Sequence, residues 1–138
     1  MSESEISIKG LSEFVKSIKE GYESLNNNET FKKEFKDANF KILLNPEDKE
    51  YAALVTVKNG IVSVEGIKNS PKENISKEKL GWDSYMKTKR QTFKEIGDGT
   101  LSSRDIRRKV LARKIKVKGL KYLASFSQMS ALRRGEPK

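Results

Sequence analysis

Apolar side chains at Leu11, Phe14, Val15, Ile18, Tyr22 and Leu25 recur at intervals of three and four, a spacing that lays one apolar stripe along a helix. Asn26, Asn27 and Asn28 interrupt the stripe, and Phe31 and Phe35, preceded by Thr30, predict a short second helix. The period then falls to two. Residues 40–44 form a short apolar run, Asn45-Pro46-Glu47-Asp48 is turn chemistry, and runs 51–57 and 61–67 flank Asn59-Gly60. An Asn-Gly pair between β-branched runs predicts a two-residue hairpin, because both residues accept positive φ. In the second of these strands Val62, Val64 and Gly66 alternate with Ile61, Ser63, Glu65 and Ile67, as a sheet with one covered face requires.

Residues 68–80 are polar, contain Pro71, and read as a loop holding at most a weak edge strand around Ile75. Trp82, Tyr85, Met86, Phe93 and Ile96 then share one face of a predicted third helix, which Gly97-Asp98-Gly99 stops. Ser102 or Ser103 caps a further helix to about residue 112, with Ile106, Val110 and Leu111 inward and Arg104, Arg107, Arg108 and Lys109 outward. Lys114-Ile115-Lys116-Val117-Lys118 alternates again, as a strand whose exposed side is wholly basic and so protects a sheet edge. Gly119 turns the chain into a last helix, 120–132, whose Leu120, Tyr122, Leu123, Ala124, Phe126, Met129, Ala131 and Leu132 occupy two faces. Such a helix lies between the body of the domain and something else apolar: a ligand cavity, a membrane surface or a partner.

The 138 residues suffice for one core and not two, so one domain is expected over 1–138, its core about 11–132 with flexible ends. The acidic start, Met1-Ser2-Glu3-Ser4-Glu5, is unlike a secretory signal, and the longest apolar run, 51–55, falls far short of a membrane span. A cytoplasmic location is the expectation. With no Cys and no His, disulfides, thiolate zinc sites and Ser-His-Asp or Cys-His catalysis are excluded.

Charge changes the picture more than composition does. Residues 1–100 carry 17 basic and 17 acidic side chains, whereas 101–138 carry 12 and 2, so the net +10 belongs to the last 38 residues. That field favours an anionic partner: nucleic acid, an acidic membrane face, or a phosphate-bearing ligand. The bland alternative is a solvated edge strand and helix face. There is neither a GxGxxG nor a Walker-type loop. Glu95, Asp98 and Asp105 could be drawn as an acid/base or metal site, but Asp98 reads as turn chemistry and Asp105 as first-turn helix charge. Ser102-Ser103-Arg104-Asp105 resembles the opening of a DNA-recognition helix, yet no partner helix and tight turn precede it. The aromatics sit on apolar faces rather than among the basic residues, which disfavours base stacking.

The order of helix, Asn-Gly hairpin, Trp82-bearing helix, Gly99-x-Leu101, Val110-Leu111-Ala112-x-Lys114-Ile115-Lys116-Val117-Lys118-Gly119 and final apolar helix resembles the sterol carrier protein family, the sterol-transfer domain, over about 11–132. The resemblance is strongest over 111–123. It implies a single α+β domain with about five mostly antiparallel strands, helices over one face, an apolar tunnel between them, and no catalytic centre, metal or cofactor. The sequence departs from the family pattern at 70–80, where a fourth strand is weak, and at 87–92, which reads as extra helix.

On this reading the chain is a non-catalytic lipid-binding or lipid-transfer domain for a sterol-like, isoprenoid or acyl ligand, including acyl-coenzyme A. Trp82, Tyr85, Met86, Phe93, Ile106, Val110, Leu123, Phe126 and Met129 are the expected lining, with helix 120–132 as lid. Arg104, Arg107, Arg108, Arg113, Lys114, Lys116 and Lys118 would meet an anionic headgroup or peripheral membrane surface. Two other readings share these features: a nucleic-acid-binding module using the basic 104–121 segment, and a subunit docking on a protein partner through its C-terminal helix.

Overall fold

The computed structural model describes residues 13–134. Leu11 and the acidic start lie outside them. Helix α1 (Glu13–Glu23) buries Phe14, Val15, Ile18 and Tyr22 and runs into a 3-10 turn (Ser24–Asn27) that buries Leu25. Helix α2 (Glu29–Glu34) starts where the Asn28 side chain accepts the Phe31 N–H at 2.8 Å. Strands β1 (Asn39–Pro46), β2 (Tyr51–Lys58) and β3 (Ile61–Lys68) follow as an antiparallel meander. The turn between β2 and β3 is the expected one, with Asn59 and Gly60 at φ 51° and 78°.

The sequence pattern misleads between 68 and 98. Instead of a weak edge strand at Ile75 there is a 3-10 turn (Lys72–Ile75) and a one-turn helix α3 (Lys77–Leu80), capped by Ser76. Instead of one long helix from Trp82 there is a strand, β4 (Ser84–Thr88), and then helix α4 (Arg90–Asp98). The fourth strand is therefore at 84–88, and 87–92 is a strand-to-helix junction rather than extra helix. Helix α5 (Ser103–Leu111) opens with a capping box between Ser102 and Asp105. Leu111, expected to face inward, is 79% exposed. Strand β5 (Lys116–Lys118), a 3-10 turn (Leu120–Tyr122) and helix α6 (Leu123–Arg133) end the fold.

The sheet order is β3-β2-β1-β4-β5, with β1 and β4 parallel and the other pairs antiparallel. This is the predicted α+β domain with five mostly antiparallel strands. One face carries Phe40, Ile42, Leu44, Ala53, Val55, Val57, Val62, Val64 and Met86 against residues of α1, α2, α4 and α6 in one buried cluster. The other face is not bare. Leu43, Ala52 and Leu54 pack there under Ile75, Leu80 and Trp82, so the polar-looking 69–82 segment is a second, thinner cover.

Candidate functional site

Two concavities lie on opposite faces of this sheet. The first, of about 590 Å³, opens at the seam between α2, the start of β1 and α6, and is lined by Phe35, Phe40 and Tyr122 with Glu34, Asp37, Ser125 and Gln128 among its polar rim. Its aromatic wall is continuous: Phe35 and Phe40 meet at 6.4 Å, and Phe40 and Tyr122 stack at 4.5 Å and 14°. Phe35 and Phe40 belong to the buried cluster as well, so this mouth lies over the edge of the core between helices and sheet. Gln128 of α6 donates to the Glu34 carboxylate across it.

Helix α6 forms one wall of that interface, and specific contacts fix it to the body. Phe126 stacks on Tyr22 at 5.2 Å and 25°. The Ser130 hydroxyl donates to the Phe126 carbonyl at 3.0 Å, so its single proton is committed and the Tyr22 hydroxyl is the donor in the 2.6 Å bond between them. The Arg133 guanidinium lies 4.9 Å from the Tyr22 ring centroid, seated where Gly21 and Gly97 leave no side chain. Arg134 Nη1 donates to the carbonyls of Ile96 and Gly97 at 3.1 and 3.3 Å, at the C-terminal end of α4, where a cation is favoured. Two charges of the basic tail thus fasten α6 to the body, a role the pattern of charges did not disclose.

Burial pushes the Tyr22 hydroxyl above the ordinary tyrosine range, an effect only partly opposed by the Ser130 hydrogen bond and the Arg133 charge. Since the folded-state value is the raised one, the stabilisation is complete below about pH 10 and is lost as pH rises through the folded value. Ultraviolet titration of the four tyrosines should therefore show one phenol ionising only as α6 comes away. Tyr22→Phe should remove that step.

The nine expected lining residues do not come together. Met86, Phe93, Phe126 and Met129 are buried in the cluster on the helix-covered face, with Ile106, Val110 and Leu123 partly buried against that cluster. Solvent-sized space does not reach Met129, which is 0% exposed. Trp82 and Tyr85 lie on the opposite face. Phe35, Phe40 and Tyr122, which line the mouth, lie outside the expected set.

Trp82 and Tyr85 instead form part of the second concavity, of about 750 Å³. Lys116 and Lys118 of the expected basic set line it, together with Lys49, Lys72, Lys77 and Lys87. Arg104, Arg107 and Arg108 stand exposed on α5, and Arg113 and Lys114 are exposed in the turn after it. The candidate carboxylates are engaged locally. Hydrogen bonding from the Thr100 side chain, and then from its N–H at 3.0 Å, holds the Asp98 carboxyl below the usual range, as the Ser102 N–H at 3.1 Å does for Asp105. Among the described residues no three acidic side chains gather as a metal site, and no helix is long and apolar enough to cross a membrane.

No family model matches the chain, and no curated protein matches it in sequence. Solved structures do. A crystal structure of sterol carrier protein 2 superposes with TM-score 0.63 at 13% identity, covering 91% of this chain and 100% of the other. The chain has the sterol carrier protein fold. The apo form of sterol carrier protein 2 from Yarrowia lipolytica shares that fold at TM-score 0.59 and 18% identity, over 91% of this chain and 98% of its own. A structure titled as the UbiJ-SCP2 ubiquinone synthesis protein does so at TM-score 0.56 and 12% identity, over 93% and 100%. The sterol carrier fold therefore spans nearly the whole chain, at identities that establish architecture alone.

Proposed function

We propose that this protein binds the apolar chain of a lipid between α6 and the sheet and carries it between membranes without altering it. The supporting observation is the mouth at Phe35, Phe40 and Tyr122, which lies over the edge of the largest apolar cluster beside α6. The interface is packed when empty, so entry requires α6 to lift. Exposing Phe126, Met129 and Leu132 would cost about 5 to 9 kcal/mol, and some ten methylenes at about 0.8 kcal/mol each offset that. The guest thus replaces the contacts that its entry breaks. Because bilayer and protein interior are both apolar, exchange between them lies near zero while the aqueous crossing, about 10 kcal/mol for an unshielded chain, is avoided.

The α5 surface supplies the approach. Arg104, Arg107 and Arg108 are exposed, and Leu111, 79% exposed at the end of the same helix, offers an apolar foothold beside them. Each cation near an acidic leaflet contributes about 1 kcal/mol.

Trp82 lies on the wrong face to report a guest, so a labelled lipid is the better probe. The chain has no cysteine, which makes Glu34→Cys/Gln128→Cys a unique pair for a short bis-maleimide bridge across the mouth. The bridged protein should take up a fluorescent acyl chain from vesicles about tenfold or more slowly than the unbridged pair, an increase of at least 1.4 kcal/mol in the barrier. Equal rates, or no transfer by any form together with no lipid in native mass spectra, would reject the reading.

A further inference from the structure

On the face of the sheet away from α6, strand register alone assembles a row of cations. Tyr85 of β4 stands opposite Lys118 of β5, and Lys87 opposite Lys116. Like charges directly across an antiparallel pair destabilise it. Lys116 and Lys118 could be explained as protection of an edge strand, since β5 ends the sheet. That explanation fails for the others: Lys49 comes from the β1–β2 turn, Lys72 from the 3-10 turn, Lys77 from α3 and Lys87 from β4, which is an inner strand. The six lysines ring one concavity of about 750 Å³ with a single carboxylate, Glu47, among the lining side chains. None of them is in an ion pair among the described residues.

The floor between the two lysine walls presents hydrogen-bond donors. Asn69 Nδ2 donates to Asn45 Oδ1 at 2.9 Å, which orients Asn45, and Asn45 Nδ2 donates to the Tyr85 hydroxyl at 2.9 Å. Having accepted that bond, the Tyr85 hydroxyl keeps its own proton to give into the groove. The aromatic faces are already occupied. Lys118 Nζ sits 5.8 Å from the Tyr85 ring centroid and Lys77 Nζ 5.8 Å from that of Trp82, and Trp82 is only 8% exposed. Trp82 and Tyr85 also pack on each other at 5.3 Å, so the rings are poor platforms for bases, and a bilayer finds no protruding apolar side chain at this recessed floor. Ammonium groups act as point charges without the bidentate geometry of arginine, so they tolerate varied phosphate orientations. Charges on both walls suit a ligand that carries more than one phosphate.

We propose that this groove is a binding site for a compact polyphosphate anion, either free or presented as a multiply phosphorylated lipid headgroup. It stands apart from the lipid reading, because the mouth beside α6 lies on the other face. Calorimetric titration of the full chain with inorganic tripolyphosphate should show saturable one-to-one binding, accompanied by a change in emission from Trp82, the single tryptophan. With each ammonium contact worth about fivefold, Lys87→Gln/Lys116→Gln should weaken binding about twenty-fivefold. Arg104→Gln/Arg107→Gln, which removes the same charge from α5, should change it less than about twofold. The first variant relieves a like-charge pair and should melt no lower than the wild type, so lost affinity cannot be ascribed to misfolding. Vesicles containing phosphatidylinositol bisphosphate, competed with soluble tripolyphosphate, separate the sources: competition marks a headgroup site, and binding of the soluble anion alone marks a free ligand. The proposal is overturned if both double variants lose affinity equally, if polyglutamate of equal charge competes as well, or if single-stranded RNA binds more tightly as its length grows.

Discussion

Replacing Phe126 with alanine is expected to lower stability by about 3 to 5 kcal/mol, the usual range for truncating a buried phenylalanine. The ring is 3% exposed, stacks on Tyr22, and shares its cluster with Met129 and Leu132. Its neighbours come from α1 and the sheet as well as α6, so the vacated space cannot close by a shift of one element. The way the loss is distributed is the more telling result. Helix α6 ends the described chain and is held by the Phe126 stack, the Tyr22–Ser130 bond and the seating of Arg133 and Arg134, whereas β1, β2 and β3 are paired along their lengths. Amide exchange in Phe126→Ala should therefore accelerate across α6 well before it does in the meander, as a local opening with its own free energy. Uniform acceleration would mean that α6 does not open independently, and uptake by lifting this helix would fail with it.

How far the sequence discloses this arrangement depends on the range of the interactions involved. The β2–β3 hairpin is legible because everything that specifies it, Asn59-Gly60 and the alternation on either side, lies within neighbouring residues. So is the start of α5, where Ser102 and Asp105 bond each other over three positions. Strand β4 is not, since its partners are β1, some forty residues earlier in the chain, and β5. Trp82, Tyr85, Met86, Phe93 and Ile96 happen to fit a helical period, and that coincidence carries a consequence for the site. Adjacent residues of a helix can share a broad face, but adjacent residues of a strand point to opposite sides. Reading Tyr85 and Met86 as helical thus places both in one lining, while the strand sends Met86 into the main cluster and Tyr85 into the lysine groove. The same error hides Lys87, which the strand period sets beside Tyr85 on that face. Lys49, Lys72 and Lys77 carry no local mark at all, since only the folding of the 69–82 segment across the sheet brings them there.

Gly119→Ala is expected to be the other severe substitution, and Gly81→Ala provides its control. Both glycines adopt left-handed backbone, φ 67° and 69°, and either replacement bears the cost of holding alanine there, about 1 to 2 kcal/mol. Their surroundings differ. A Cβ on Gly81 meets nothing within 4 Å, whereas one on Gly119 runs into the Asp83 carbonyl oxygen and comes within 3.4 Å of Ser84 Cα. Asp83 is not free to retreat, because its N–H donates to the Lys41 carbonyl at 2.7 Å and its carboxylate accepts the Lys41 N–H at 2.9 Å. The Gly119 side is equally committed: its carbonyl accepts from the buried Ser84 hydroxyl, which in turn accepts the Tyr122 N–H at 3.4 Å. Relief must come from the junction of β5 with α6, at a further cost of about 1 to 3 kcal/mol. Denaturant unfolding should thus place Gly119→Ala about 3 kcal/mol below the wild type and Gly81→Ala no more than about 2 kcal/mol below it. The displaced junction carries Lys116 and Lys118 on one side and α6 on the other, so Gly119→Ala should weaken tripolyphosphate binding and speed acyl-chain uptake together. Equal destabilisation by the two alanines would show that the contact with Asp83 does not constrain this junction.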